Sequence, residues 1–332
     1  MNNLPLVSVV IPTYNRAHLI ERAVQSVLHQ TYPHIELIVV DDGSTDDTAD
    51  VLARLSDPRL HYIRLPHNIG GGGARNVGLQ QSHGKYVSFL DSDDEFLPTM
   101  LEKLVALLEQ VQQIDRHAGV VYCSHYINYS YDHLRQRQIL SRTPMNNGNV
   151  LAHIWRGWTY PLSTFLLRRE LVVAVGGFDE RLPRLQDYEL WVRLAQVSPF
   201  YTISEPLVIK HEFATVQTSR HPTSIERALH VFLERWESML QRELGAHGTI
   251  QLARQFRQNA YLSAALLFTK QGNRRAAIAT IITCIRKTGW IPAPRFFWAL
   301  LPIVVGTQAT HWVHHLVAAY KRWWASSVAA AR

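Results

Sequence analysis

A chain of 332 residues, 47% hydrophobic and 18% charged, is large enough to bury a full core and lies outside the composition of disordered chains. Its two cysteines, Cys123 and Cys284, fall in no metal-ligand or redox spacing; they indicate no disulfide framework and fit a reducing, cytoplasmic compartment. The net charge of +7 is unevenly placed: residues 1–224 carry 20 Lys and Arg against 23 Asp and Glu, and residues 225–332 carry 14 against 4.

The N-terminus runs from Met1 into a β-like stretch without a basic leader or cleavage site, which reads as no signal peptide. Residues 6–126 then alternate short β-branched runs with helical patterns, the signature of a parallel sheet with crossover helices. Strands are predicted at 6–11, 35–40, 60–64, 86–90 and 120–126, and helices near 17–29, 45–56, 74–82 and 98–113. Pro98 suits a first helical turn, and Ser44 or Thr45 can cap the second helix. The fold class is therefore α/β, a Rossmann-like, mostly parallel sheet flanked by helices. Ligands of such sheets sit beyond the carboxyl ends of the strands. Three polar clusters fall there: Pro12-Thr13-Tyr14-Asn15, Asp41-Asp42-Gly43-Ser44 and Asp91-Ser92-Asp93-Asp94.

The residue types at these ends set the chemistry. Asp91-Ser92-Asp93 is a D-x-D pattern, which by itself is more often a solvated loop or helix cap, but it follows an apolar strand and so projects carboxylates from a rigid edge. Mg²⁺ or Mn²⁺ favours such oxygen ligands and commonly binds through one or two carboxylates plus substrate phosphates. Asp41 and Asp42 offer more acid than one helix cap needs, and a carboxylate here can accept an imide N–H such as that of uracil; base recognition and capping stay open. Asn68-Ile69-Gly70-Gly71-Gly72-Gly73-Ala74-Arg75-Asn76 leads into a helix and favours anions through its backbone N–H groups. It matches neither the phosphate-loop nor the dinucleotide pattern.

Residues 127–160 are less regular, and short apolar runs return from 161 to 224. Residues 186–194 read as the start of an amphipathic helix with Leu190, Trp191 and Leu194 on its packed face. Asp187 lies in the first turn, where the helix dipole keeps a carboxylate ionised, as suits a general base or a simple helix-end acid. Beyond about 225 the pattern is helical and basic. Residues 296–306 are strongly apolar but too short for the roughly 20 residues that span a bilayer. With Trp298, Trp312, Trp323, Trp324, Lys321 and Arg322 this stretch reads as interfacial or as an ordinary packed helix. The basic third can meet an anionic membrane surface or be a solvated face; no nucleic-acid motif is present, and no nucleic acid is expected as a partner.

These pieces in this order resemble the family 2 glycosyltransferases with the GT-A fold. The resemblance runs from Val7-Ser8-Val9-Val10-Ile11-Pro12-Thr13-Tyr14-Asn15 through Val39-Val40-Asp41-Asp42-Gly43-Ser44, Ala74-Arg75-Asn76 and Leu90-Asp91-Ser92-Asp93-Asp94. It resumes at Gly176-Gly177-Phe178-Asp179-Glu180 and at Gln186-Asp187, covering about residues 6–215. It implies a nucleotide site of Pro12, Thr13, Tyr14, Asn15, Asp41 and Asp42, with Arg75 near the base or phosphates. It further implies donor contacts at Asp91 and Ser92, a metal held by Asp93, and Asp187 as general base of an inverting transfer. His211, in Ile209-Lys210-His211-Glu212, matches a late histidine near the diphosphate and is a candidate metal or phosphate contact or a structural residue. Many relatives have Glu-Asp where this chain has Gln186-Asp187.

The implied enzyme moves a sugar from a nucleotide-sugar donor, UDP-linked by preference, to a glycan or lipid-linked acceptor with Mn²⁺ or Mg²⁺. Residues 1–224 are its expected catalytic domain, 1–126 the nucleotide half and 127–224 the acceptor half. Residues 225–332 form a basic helical extension. The implied location is cytoplasmic, with peripheral attachment at the inner face of the cell membrane as an option. The competing readings are a non-catalytic nucleotide-sugar-binding or membrane scaffold protein and a sugar nucleotidyltransferase. The latter calls for a Gly-rich basic loop after the first strand, which Pro12–Arg16 lacks.

Overall fold

The computed structural model describes residues 4–289 apart from 133–134, 142–144, 158–159, 214–221 and 271. The apolar stretch at 296–306 and the tryptophans after it lie outside the described residues. Among the described residues the chain forms two compact units, one of 4–213 with 227–252 and one of 222–226 with 253–289.

The first unit is built on a nine-stranded sheet. Its first half is parallel, in the order β3 (Leu60–Arg64), β2 (Ile35–Asp41), β1 (Val7–Thr13) and β4 (Tyr86–Phe89). β2 and β4 are buried along their whole length, which is why they read as predominantly apolar runs, broken by Glu36 and Ser88: both faces are covered. The intervening helices are α1 (Ile20–Leu28), α2 (Thr48–Ala53) and α3 (Gly71–Gln81). α1 buries Ile20, Ala23, Val24 and Val27, an i, i+3, i+4, i+7 stripe. α3 approaches β1 closely at Gly78, where an added Cβ would stand 2.3 Å from Val10 Cγ1.

The second half is mixed. After β5 (Glu95–Phe96) and α4 (Met100–Ile114) come β6 (Val120–Asp132), β7 (Arg135–Leu140), α5 (Leu151–Trp155), β8 (Phe165–Arg168), α6 (Arg169–Ala174), α7 (Gln186–Ala195) and β9 (Phe200–Phe213). β8 inserts antiparallel between β4 and β6, β9 runs parallel to β6, and β5 and β7 close the edges antiparallel. The α/β class is as expected, and the antiparallel pairings belong to this half. Leu190, Trp191 and Leu194 of α7 are fully buried, as the helical pattern predicts. Trp191 stacks on Phe165 at 3.8 Å, and Tyr188 donates its hydroxyl to the Ile154 carbonyl.

α8 (Pro222–Lys270) runs through both units and is interrupted at Gly245, whose φ of 71° lies outside the helical region. In the first unit its Trp236 indole donates to Glu189 Oε1 at 3.3 Å, and Arg235 lies 3.3 Å from the same oxygen. Glu189 also pairs with Arg193 at 2.5 Å, both side chains being buried. The second unit pairs the end of α8 with α9 (Arg274–Thr288), around Ala265 and Ala277. Cys123 and Cys284 are both free and buried, and no helix among the described residues is long and apolar enough to cross a membrane.

One buried group makes the fold sensitive to pH. His125 on β6 is 3% exposed, packs edge-on against Tyr160 at 5.4 Å, and has no hydrogen-bond partner for Nδ1. Burial, aided by the charge of Lys210, pushes its pKa down to about 4. A histidine titrating lower when folded than its unfolded value of about 6.5 contributes fully above pH 6.5 and costs stability as pH falls toward the folded value. At pH 4.5 the loss is about 2 to 3 kcal/mol relative to pH 7. Urea unfolding at the two pH values should show that increment in the wild type and lack it in His125→Phe; equal pH slopes would contradict this assignment.

Candidate active site

The three polar clusters lie at the carboxyl ends of β1, β2 and β4, as expected. The first two are tied together by the side chain of Asn15. With φ at 52°, Asn15 turns its Oδ1 to accept the Thr45 N–H at 2.8 Å, while its own N–H donates to Ser44 Oγ at 2.9 Å. Asn tolerates this left-handed backbone better than most residues. Ser44 and Thr45 therefore do not cap α2, contrary to expectation: that helix begins at Thr48, whose N–H goes to Asp46 Oδ1. Pro12 and Tyr14 are half-buried. Thr13 is buried, with no hydrogen-bond partner for its hydroxyl and its carbonyl accepting the Asp42 N–H.

Asp41 and Asp42 divide the work at the end of β2. Asp41 is fully buried and accepts the Ser44 N–H and the Tyr62 hydroxyl, each at 2.8 Å. That closes the turn at Gly43, where φ is +76° and a Cβ would stand 2.9 Å from the His67 backbone. The two oxygens of Asp42 accept the N–H groups of Ile69 and Gly70 at 2.7 and 2.9 Å, which fixes the glycine-rich entry to α3. Burial, with Asp41 adding to it, pushes the Asp42 carboxyl up. Each of its oxygens keeps a second lone pair.

The turn after β4 is supported from the opposite side of the chain. Ser163 donates its hydroxyl to Asp94 Oδ2 at 2.9 Å and accepts the Asp91 N–H at 3.2 Å. Asp94 Oδ1 accepts the His211 N–H at 3.2 Å. Ser92 is buried, and Arg22 holds the Asp93 carbonyl at 2.8 Å. Burial and the charge of Asp91 raise the Asp93 carboxyl; Arg16 and Lys210 work the other way. Asp94 is raised well above the ordinary range by burial and by its two acidic neighbours. His211 lies beside this turn, but its ring is engaged by protein: Nε2 faces Glu95 at 2.5 Å and Nδ1 faces the Asn128 amide at 3.3 Å. As placed, that ring turns both nitrogens to protein groups.

A line of contacts joins the acidic turn to α7. Arg75 on α3 donates to Asp91 Oδ1 at 2.6 Å and to Gln186 Oε1 at 3.0 Å. Gln186 Nε2 in turn donates to the Leu182 carbonyl at 2.7 Å, so both ends of the amide are fixed. The glycines at the start of α3 admit it: a Cβ on Gly72 would stand 3.1 Å from Gln186 Nε2. Asp187 follows, half-buried, after Leu185 in a left-handed conformation with φ at 64°. Its Oδ1 accepts the Tyr188 N–H at 2.8 Å. Burial raises the Asp187 carboxyl above its ordinary range, with Asp91 adding to it and Arg75 opposing. Sequence reasoning read Asp187 but not the Gln186 bridge, nor Ser163, Arg16 and Lys210, which carry no motif of their own. Among the described residues no group of three or more His, Cys, Asp or Glu gathers as a metal cage.

The chain matches the glycosyl transferase family 2 model over residues 8–176. It belongs to that family. An uncharacterized glycosyltransferase of Rickettsia felis is 33% identical over 240 residues, covering 71% of this chain and 38% of that protein. The chain thus spans under two fifths of the length of this larger relative. Over 101 residues it is 50% identical to TuaG of Bacillus subtilis, named as a glycosyltransferase of teichuronic acid biosynthesis; the match covers 30% of this chain and 40% of TuaG. Among solved structures, TarS 1–349 of S. aureus with UDP-GlcNAc aligns at a TM-score of 0.54 and 18% identity, covering 86% of this chain and 93% of the other. A mannosyltransferase of Pyrobaculum calidifontis with GDP-Man and Mn²⁺ aligns at 0.52 and 20% identity, covering 94% and 88%. These last two likenesses concern the fold, which is GT-A. The family to which the chain belongs is named for glycosyl transfer.

Gln186 offers a test inside this family frame. Gln186→Glu should keep the Arg75 contact but add a negative charge beside Asp187, raising that carboxyl further. The acidic limb of the pH–rate profile should move to higher pH with transfer retained. An unmoved limb would argue that Asp187 does not govern it.

Proposed function

We propose that the chain transfers a sugar, with inversion, from a nucleoside-diphosphate donor to a hydroxyl of a glycan or lipid-linked acceptor. The observation that carries this reading is the contact line from Asp91 through Arg75 to Gln186, which brings the acidic strand-end turn and the Asp187 carboxyl to one site. Asp187 acts as the base: it takes the acceptor hydroxyl proton as that oxygen attacks the anomeric carbon. Its raised basicity suits the role, since a base whose pKa lies nearer working pH removes a proton more effectively. Asp42, with Pro12, Thr13, Tyr14, Asn15 and Asp41 around it, receives the base and ribose through its remaining lone pairs. Arg75, Asp91 and Ser92 face the donor's diphosphate and sugar.

The donor set also fits a divalent cation. Asp93 offers a hard oxygen ligand, and the repulsion by which Asp91 raises its carboxyl is one that a cation at Asp93 would relieve. One or two carboxylates from the protein, with substrate phosphates and water, would suffice for Mg²⁺ or Mn²⁺. Asp93 would be the principal ligand, and His211 would join it only by releasing Glu95 from Nε2 or Asn128 from Nδ1. When bound, the ion neutralises charge on the departing nucleoside diphosphate.

A UDP-sugar is the favoured donor, supported by the UDP-GlcNAc complex of the similar S. aureus fold. The GDP-Man complex of the other keeps a guanosine donor in the test. Polysaccharide or cell-surface glycan synthesis is the favoured context, supported by the likeness to TuaG. Residues 1–224 carry the chemistry in this reading, and the basic 225–332 region attaches the enzyme peripherally to the inner face of the cell membrane. Release of nucleoside diphosphate from UDP-, GDP- and dTDP-sugars with Mn²⁺ or Mg²⁺ tests the reading. Metal-dependent release from one donor class is expected; no release from any donor, with or without an acceptor extract, would count against it.

A further inference from the structure

We propose that the outward face of α9 is the contact surface for an anionic phospholipid bilayer; this rests on the membrane-attached reading and gives it a place in the chain. α9 has 15 residues and carries four cationic side chains with no carboxylate. One face is internal, with Ala277, Thr280, Cys284 and Thr288 buried. The opposite face exposes Ile278, Ile282 and Ile285 at 42%, 43% and 38%. At 100° per residue these three fall within about 60° of arc, with Arg275 and Arg286 on the adjoining strip. Both arginines are exposed. Lys287, by contrast, lies 3.4 Å from Glu226 and is partly neutralised within the unit.

An isoleucine stripe beside a basic strip is the composition of a helix lying in the plane of a membrane, with the apolar residues entering the acyl boundary and the cations meeting the headgroups. The helix is about 22 Å long, short of the span of a bilayer, and its ends are both terminated. Asn273 Oδ1 accepts the Ala276 N–H at 3.1 Å, and Gly289 closes the helix at φ 59°. The geometry is therefore that of an element lying flat. A second copy of the chain fits this face poorly, because two such strips would bring like charges together with no carboxylate on either helix.

The test uses the full chain and vesicles of phosphatidylglycerol and phosphatidylcholine in equal parts, with phosphatidylcholine alone for comparison. The wild type should float with the anionic vesicles, and 0.5 M salt should weaken the association. Ile278→Gln/Ile282→Gln/Ile285→Gln and, separately, Arg275→Gln/Arg286→Gln should each weaken it by at least about tenfold. All five positions are exposed, so the internal face of α9 is kept, and helix content by circular dichroism verifies that both variants are folded. Wild-type protein that ignores anionic vesicles would overturn both this inference and membrane attachment. Wild-type binding that both variants retain in full would overturn the α9 assignment alone and place the contact elsewhere. Loss of self-association in the isoleucine variant, with vesicle binding unchanged, would assign the face to a second copy and overturn the lipid proposal.

Discussion

Replacing Asp187 by Asn is expected to lower sugar transfer by about 10²- to 10⁴-fold, the range lost with a general base, while nucleotide binding stays near wild type. The substitution is structurally mild. The Asn Oδ1 can still accept the Tyr188 N–H that Asp187 accepts at 2.8 Å, so the first turn of α7 keeps its geometry and the buried Leu190 and Trp191 keep their packing. What is lost is proton affinity. Because burial holds the Asp187 carboxyl above its ordinary range, wild-type activity should fall as pH drops through a value higher than the usual 3.9 or so of an aspartate. The variant should lack that limb in its residual rate. Titration calorimetry with UDP alongside a transfer assay separates the two effects, and equal transfer rates for variant and wild type would remove Asp187 from the role of base.

Asp93→Asn should act on the other half of the reaction. With one hard carboxylate replaced by an amide, the site loses most of its hold on a divalent cation, and the stabilisation of the leaving diphosphate goes with it. Several kcal/mol are at stake in such neutralisation, which corresponds to about 10²-fold or more in rate. The fold should survive, because removing a carboxylate that Asp91 repels relieves strain in the turn, while Arg22 continues to hold the backbone carbonyl of residue 93. The signature is specific: wild-type turnover should rise with added Mn²⁺, and the variant's response should be weak or require far higher metal. A variant with an unaltered metal dependence would transfer the ligand role to other residues.

The parallel half of the sheet was legible because β1, β2 and β4 are buried and therefore made of predominantly apolar runs, broken only by Ser8, Glu36 and Ser88 before each ends in a polar turn. The mixed half was harder. β5 has two residues and β8 four, too few to show alternation, and the insertion of β8 between β4 and β6 is a tertiary fact that no local pattern carries. In the candidate site, Asp42, Asp91, Asp93 and Asp187 stand out in the sequence by position and by their order along the chain. The bridge from Arg75 to Gln186 was not, since its ends lie 111 residues apart, and neither was the support of Asp94 by Ser163 across 69 residues. The glycine run illustrates why. Read alone it is an anion cradle, yet its small residues also make room for the Gln186 side chain, and that second use exists only in the fold. His211 was visible as a late histidine, but the Glu95 carboxylate and the Asn128 amide that engage it come from β5 and β6.

A single displacement driven by Asp187 would be read in the configuration of the released sugar. With the active donor and Mn²⁺, and water as the acceptor, proton NMR followed from the first minutes reads the anomeric signal before mutarotation scrambles it. From an α-linked donor the β-anomer should appear first. Initial accumulation of the α-anomer would contradict that displacement, because retention requires a different arrangement of groups at the anomeric carbon from the one built around Asp187.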